Sequence, residues 1–289
     1  MFTMKWPIGW KACLAALMLV PVHVFAQDYR TTVLNTPNLL GYWPFTTASG
    51  ANSVVGGYTG TFNGASGLGA PGSGPILASD PGNRPVNLNG NIGNFVNTNM
   101  QGGITTGGSI VGWFNLAQLP SAAGRVFAIA GIGEAGNDFD LQIETDNEIK
   151  FYTANSGGFF VALPTAMTAT DLGVWHFIAA TFTANGTSNL YLDGNPVVSA
   201  AAGGHSPGNN FFGIGENFVF PFRQFNGSLD EIAVFSRELT AGEVGNIYAS
   251  RLVAAVPEPA SILMLGSVVV VVGVGVFRYR RKQGLVKGW

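Results

Sequence analysis

The sequence predicts an all-β domain, because short runs of β-branched and aromatic residues recur with turn residues between them. The composition agrees with this prediction. The 289 residues include 41 glycines and only 10% are charged, which suits many tight turns better than long amphipathic helices. Without an internal repeat or a long linker in the body, we expect one sandwich or jelly roll.

Eleven segments carry the strand pattern. They are 39–45, 95–98, 109–116, 125–130, 139–145, 149–153, 159–163, 175–182, 189–192, 211–214 and 225–235. The clearest hairpin turns at Asp193 and Gly194, since Asp-Gly accepts the positive φ of a tight turn between two apolar strands. One helix is expected near the end, where Thr240 and Glu243 form a capping box before Val244, Ile247 and Tyr248.

The order of these elements resembles the LamG-like (laminin G type 3), concanavalin A-like jelly roll. The motifs that carry the resemblance are LGYWPF at 40–45, VNLNG at 86–90, SIVGWFN at 109–115, WHFIAATF at 175–182 with LYLDG at 190–194, and FNGSLDEIAVFSREL at 225–239. The resemblance implies a two-sheet sandwich with one short C-terminal helix. For function it implies binding of glycans or proteins, or polysaccharide hydrolysis in some relatives.

The N-terminus has the pattern of a secretory signal peptide. Lys5 and Lys11 precede an apolar stretch at 12–20, and small or tolerated residues before Gln27 predict cleavage after Ala26 by signal peptidase. The only cysteine, Cys13, lies inside this segment. The mature domain would therefore depend on core size rather than on disulfides.

The C-terminus reads as a sorting signal with three parts. Pro257, Glu258 and Pro259 precede an uncharged apolar run at 260–277, which as a helix would span ~27 Å, close to a bilayer core. A basic end follows, made of Arg278, Arg280, Arg281 and Lys282. This order resembles the PEP-CTERM sorting domain, which implies processing by an exosortase and insertion in the inner membrane. The extra residues 283–289 depart from that pattern, and a plain membrane anchor is the alternative.

These ends divide the chain into a signal peptide (1–26), a LamG-like domain (27–253) and a sorting signal (254–289). All 16 acidic residues lie between Asp28 and Glu258, against seven basic ones, so the exported body is acidic. Because nucleic acids are bound through Lys and Arg that neutralise phosphates, we expect no nucleic-acid partner.

Candidate catalytic residues are few. Alternation in 138–144 places Phe139, Leu141 and Ile143 towards the core, with Asp138, Asp140, Gln142 and Glu144 on the opposite face. This departs from the Glu-x-Asp-x-(x)-Glu strand of retaining glycosidases, so we expect no enzyme and keep polysaccharide hydrolysis as a minor alternative. Trp43, Trp113 and Trp175 are expected in cores, and His176 and His205 are expected to be structural or solvent-exposed.

Calcium is the one cofactor that the sequence suggests. Asp230, Glu231, Asn226 or the pair Asp138 and Asp140 could supply oxygen ligands, although no ligand set can be assigned. Together these features predict an exported envelope or extracellular protein that binds polysaccharide or a surface protein. A structural envelope component without a specific ligand is the alternative.

Overall fold

The computed structural model describes residues 26–133, 138–153, 160–203, 210–220 and 222–255. The helices are α1 (Tyr29–Asn35), α2 (Pro120–Ala123) and α3 (Ala241–Ser250). The strands are β1 (Leu39–Trp43), β2 (Gly60–Phe62), β3 (Gly67–Leu68), β4 (Val86–Asn89), β5 (Val96–Gln101), β6 (Gly107–Leu116), β7 (Phe127–Ile132), β8 (Phe139–Ile143), β9 (Ile149–Thr153), β10 (Phe160–Ala162), β11 (Trp175–Thr183), β12 (Thr187–Leu192), β13 (Asn195–Ala201), β14 (Phe211–Ile214) and β15 (Asn226–Phe235).

Two antiparallel sheets form the sandwich and confirm the predicted jelly-roll class. Sheet A has eight strands in the order β13-β12-β11-β6-β15-β4-β3, with β1 also paired to β15. Sheet B has seven strands in the order β10-β9-β8-β7-β14-β5-β2. Non-consecutive neighbours such as β6 and β15 come from distant parts of the sequence, which is typical of Greek-key connections.

The main core lies between the two sheets. Sheet A contributes Trp43, Phe114 and Phe182, and sheet B contributes Phe139 and Phe212. All five side chains are fully buried, and the rings of Trp43 and Phe212 stack with their centroids 5.3 Å apart. Large aromatic side chains therefore supply much of the apolar area that this disulfide-free domain buries.

A second core covers the other face of sheet A. There Trp113 and Phe177 pack against Tyr29 and Val33 of α1 and Ile247 of α3. The helix predicted near the end is confirmed as α3. Its N-terminus has the predicted capping box, in which the Thr240 side chain accepts from the Glu243 amide and the Glu243 side chain accepts from the Thr240 amide. Helix α1 was not predicted. It begins after Asp28, whose side chain accepts a hydrogen bond from the Thr31 amide at 3.0 Å.

The predicted hairpin is also confirmed. Asp193 and Gly194 have φ angles of 49° and 79° and join β12 to β13. A Cβ atom on Gly194 would lie 2.4 Å from the Tyr248 ring, so this turn also allows α3 to approach the sheet closely.

Candidate functional site

The outer face of sheet B is the sheet face that the described helices leave uncovered, since α1 and α3 pack on sheet A. Strand β8 crosses the middle of sheet B, between β7 and β9. Its Phe139, Leu141 and Ile143 enter the main core, so Asp140 and Gln142 point to the outer face. The predicted alternation is therefore correct.

Part of this face is covered by residues 216–220 and 222–224, called here the cover loop. The loop leaves after Gly215 and returns at Phe225, whose amide donates to the Gly215 carbonyl at 3.0 Å. It lies against Gly213, where a Cβ atom would be 2.8 Å from the Glu216 carbonyl oxygen. Glycine in the outward row of β14 thus gives the loop backbone room to approach the sheet.

Asn217 joins the cover loop to β8. Its side-chain amide donates to Asp140 Oδ2 at 2.7 Å, while its Oδ1 accepts from the amides of Val219 and Phe220. Asp140 is only 2% exposed as a result. Burial raises the pKa of its carboxyl to about 7, against the opposing effect of the Asn217 hydrogen bond.

A chain of hydrogen bonds continues over the surface beside Asp140. Tyr152 of β9 donates from its hydroxyl to Glu144 Oε1 at 2.7 Å, and Gln142 donates to the same oxygen at 2.8 Å. Arg223 of the cover loop donates to Gln142 Oε1 at 2.8 Å. Burial and the bond to Glu144 raise the pKa of Tyr152, so its hydroxyl stays protonated at neutral pH. The polar groups here are held in fixed positions by one another.

Exposed aromatic rings flank this polar chain. Phe160, Phe211, Phe220 and Phe222 are 41–57% exposed, and each belongs to a strand of sheet B or to the cover loop. The Phe160 ring lies 5.4 Å from that of Tyr152. The Arg223 guanidinium lies 4.3 Å from the centre of the Phe220 ring. Glu144, Tyr152, Phe160, Phe220 and Arg223 are together called the binding face, and buried Gln142 holds Glu144 and Arg223 in position.

The predicted core tryptophans lie away from this face. Trp43 and Trp113 are buried, as predicted. Trp175 is only half-buried at the start of β11, with its indole donating to the Ser73 carbonyl. His176 lies on sheet A, 3.0 Å from Asp193 and 3.5 Å from Asp171, and the bond to Asp193 raises its pKa. His205 lies outside the described residues.

A second polar cluster surrounds Asp230 and Glu231 in sheet A, where β15 bulges and Glu231 has a φ of 53°. Arg30 of α1 contacts Glu231 at 3.0 Å and Asp80 at 2.7 Å, and Tyr42 also donates to Glu231. Burial raises the pKa of Glu231 to about 7 and that of Asp230 well above its usual range.

This cluster does not fit calcium well, because a guanidinium already supplies positive charge at Glu231. Of the other suggested ligands, Asp140 accepts from Asn217 through Oδ2, and Asn226 donates through its side-chain nitrogen to Gln118. Within the described ranges, no three His, Cys, Asp or Glu side chains are grouped to hold a metal ion. Calcium binding stays a prediction.

The predicted sorting signal lies beyond the part of the chain that the structure describes. Pro257, Glu258, Pro259, Arg278, Arg280, Arg281 and Lys282 all lie outside the described residues, as does the apolar run at 260–277. Ala26 and Gln27 are the first described residues, and both are exposed. In the part of the chain that the structure describes, no helix is long and apolar enough to cross a membrane.

Family comparisons agree with both resemblances. Residues 89–245 match a family described as the concanavalin A-like lectin/glucanases superfamily, of the laminin G type 3 class. Residues 255–282 match the PEP-CTERM protein-sorting motif. No curated protein matches the sequence significantly.

Several solved structures share the fold. The binding domain of Paraclostridial Mosquitocidal Protein 1 has a TM-score of 0.56 and 14% identity, over 74% of this chain and 52% of that one. The receptor-binding domain of botulinum neurotoxin C/D mosaic serotype has a TM-score of 0.57 and 12% identity, over 73% of this chain and 51% of that one. This chain thus spans about half the length of these toxin domains. A third structure is domain 4 of AbnA, a GH43 extracellular arabinanase from Geobacillus stearothermophilus, in complex with arabinotriose. It has a TM-score of 0.55 and 18% identity, over 73% of this chain and 98% of that one.

Proposed function

Because the chain belongs to the concanavalin A-like lectin/glucanases superfamily, whose profile matches more than half of it, we propose that its binding face binds extracellular polysaccharide. The PEP-CTERM motif implies export and sorting to the cell envelope. The partner would therefore be a glycan of the envelope or of an extracellular matrix.

The observation that carries the proposal is the fixed hydrogen-bond chain from Tyr152 to Arg223 between the exposed rings of Phe160 and Phe220. A sugar ring has an apolar face that packs on an aromatic ring and hydroxyl groups that pair with fixed donors and acceptors. An open sheet face suits a polymer, because successive sugars can lie across several strands. The fold relative solved with arabinotriose supports a saccharide ligand.

The charges of this face favour a neutral polysaccharide. Lys150, on the same face, is paired with Asp146 at 2.8 Å and with Glu148 at 3.4 Å. Arg223 donates to Gln142, and Glu144 accepts from two donors. The acidic body would in addition repel a polyanionic glycan.

We propose binding without turnover. A nucleophile or general acid must contact the substrate, whereas Asp140 is buried and bonded to Asn217. Hydrolysis through Asp140 and Glu144 is the alternative, and the experiment described below would detect it.

For targeting, we propose that signal peptidase cleaves between Ala26 and Gln27. We propose that the exosortase acts at Pro257, Glu258 and Pro259, with residues 260–277 in the inner membrane until processing. Arg278, Arg280, Arg281 and Lys282 would hold the tail end in the cytoplasm.

The test is a glycan array probed with residues 27–255, which contain both hydrophobic cores, with calcium and again with chelator. Saturable binding to neutral polysaccharide supports the proposal, and its loss with chelator would assign calcium a role. A blank array with a folded domain would instead favour a protein partner or a purely structural envelope component. Release of reducing ends from a bound glycan would indicate hydrolysis.

A further inference from the structure

The two ends of the described chain lie side by side. Ser79 Oγ accepts from the Tyr29 amide at 3.4 Å and lies within 3.2 Å of the carbonyl oxygens of Ser250, Arg251 and Val253. Ala26, Gln27 and Val253 also line a single cavity of about 540 Å³ beside α3. The first residues after the proposed signal cleavage and the last before the sorting motif therefore leave the domain at one place.

That place belongs to the helix layer, meaning α1 and α3, which packs on sheet A. The binding face lies on the far side of sheet B, with sheet A and the main core between it and the helices. Packed layers are ~10 Å apart, so roughly 20 Å or more separate the helix layer from the binding face.

The connection to the proposed membrane span has six residues. Only residues 254–259 lie between the domain and the apolar run at 260–277, and two of these six residues are prolines. Fully extended, six residues reach at most ~20 Å, and proline restricts their rotation. The linker therefore matches the separation between the helix layer and the binding face only when it is fully stretched, so turning the binding face towards the membrane would cost most of the linker's conformational freedom.

We propose that the tethered protein presents its helix layer to the bilayer and its binding face away from it. This orientation rests on the proposed membrane span and adds to the proposed function that polysaccharide can be bound before the tail is removed. Exposed Leu34 of α1 and Leu252, just after α3, would then lie near the lipid headgroups.

The orientation can be measured on the full chain, made in a host without exosortase and carrying Cys13→Ala. Single cysteines at exposed positions, Asn246→Cys on α3 and Asn97→Cys on the outer face of β5, would carry a fluorophore. The protein is placed in phosphatidylethanolamine and phosphatidylglycerol vesicles that contain a headgroup-nitroxide lipid. We expect strong quenching at 246 and little at 97, and a flexible Gly-Ser insertion after Val253 should remove the difference.

Flotation with the vesicles separates the possible failures. A chain that floats but is quenched as strongly at 97 as at 246 would overturn the orientation alone. A chain that does not float would overturn both the membrane span and the orientation. Glycan binding by residues 27–255 is measured independently of either result.

Discussion

Asn217 donates a 2.7 Å hydrogen bond to the buried carboxyl group of Asp140 and so fastens the cover loop to the centre of sheet B. The outer face of β8 carries acidic residues, and this contact gives one of them, Asp140, a hydrogen-bond partner beneath the phenylalanine-rich cover loop. Its energy depends on the protonation state of Asp140, because a buried charge is costly unless it is fully paired.

We predict that the domain loses stability as the pH rises from 5 to 8. The pKa of Asp140 is about 7 in the folded state against 3.8 ordinarily, so folding favours the protonated form. The protonated Asp140 carboxyl group contributes its full stabilisation below its ordinary pKa, and this contribution is lost as the pH rises through 7. Thermal unfolding should report a decrease on the order of 2 kcal/mol over this range.

Asp140→Asn is the matched variant, because it keeps an acceptor for Asn217 but cannot ionise. The pKa values of Glu231 and His176 are also raised and act in the same direction, so the variant should flatten the pH dependence without abolishing it. The same slope in the variant and the wild type would show that Asp140 does not titrate as described.

Arg30→Gln should destabilise the domain by about 3 kcal/mol at pH 8, since it removes the cation beside buried Glu231. The loss should be smaller at pH 5, where Glu231, with a pKa of about 7, is already protonated. Chemical denaturation at both pH values measures the difference. Arg84→Gln, which changes a half-buried arginine outside these ion pairs, serves as the control, and an equal loss at both pH values would argue against the role of Glu231.

Gly194→Ala should lower the unfolding midpoint more than Gly173→Ala. Both glycines have positive φ, at 79° and 75°, so both variants introduce similar backbone strain of about 1 kcal/mol. Only at Gly194 would the new Cβ atom meet the Tyr248 ring, whereas no heavy atom of the described chain lies within 4 Å at Gly173. Equal midpoints in the two variants would mean that α3 moves away without cost.

Much of the fold could be predicted from the sequence, because apolar residues that enter the core alternate with outward-facing residues along a sandwich strand. Strands β9 and β14 begin and end at the predicted residues. Helix α1 was missed because it has seven residues and only two apolar side chains that become buried, Tyr29 and Val33. Its Asp28 cap was the available signal.

The binding face was harder to predict. Alternation places Asp140 and Gln142 on the outer face, but their burial depends on Asn217 and Arg223, about 80 residues later in the chain. Tyr152 and Phe160 looked like ordinary strand residues, since exposure on a sheet face depends on what covers it. The cluster of phenylalanines at 218–222 was the one local hint of an exposed aromatic loop.

Whether the binding face holds polysaccharide can be measured by comparing glycan affinity of the wild type with that of the double variant Tyr152→Ala and Phe160→Ala. The control is Leu34→Ala, which truncates an exposed side chain on the helix layer. Titration calorimetry with the best glycan from the array should show at least a tenfold loss of affinity, about 1.4 kcal/mol, for the double variant and none for the control. Unchanged affinity in a folded double variant would contradict the assignment of the binding face.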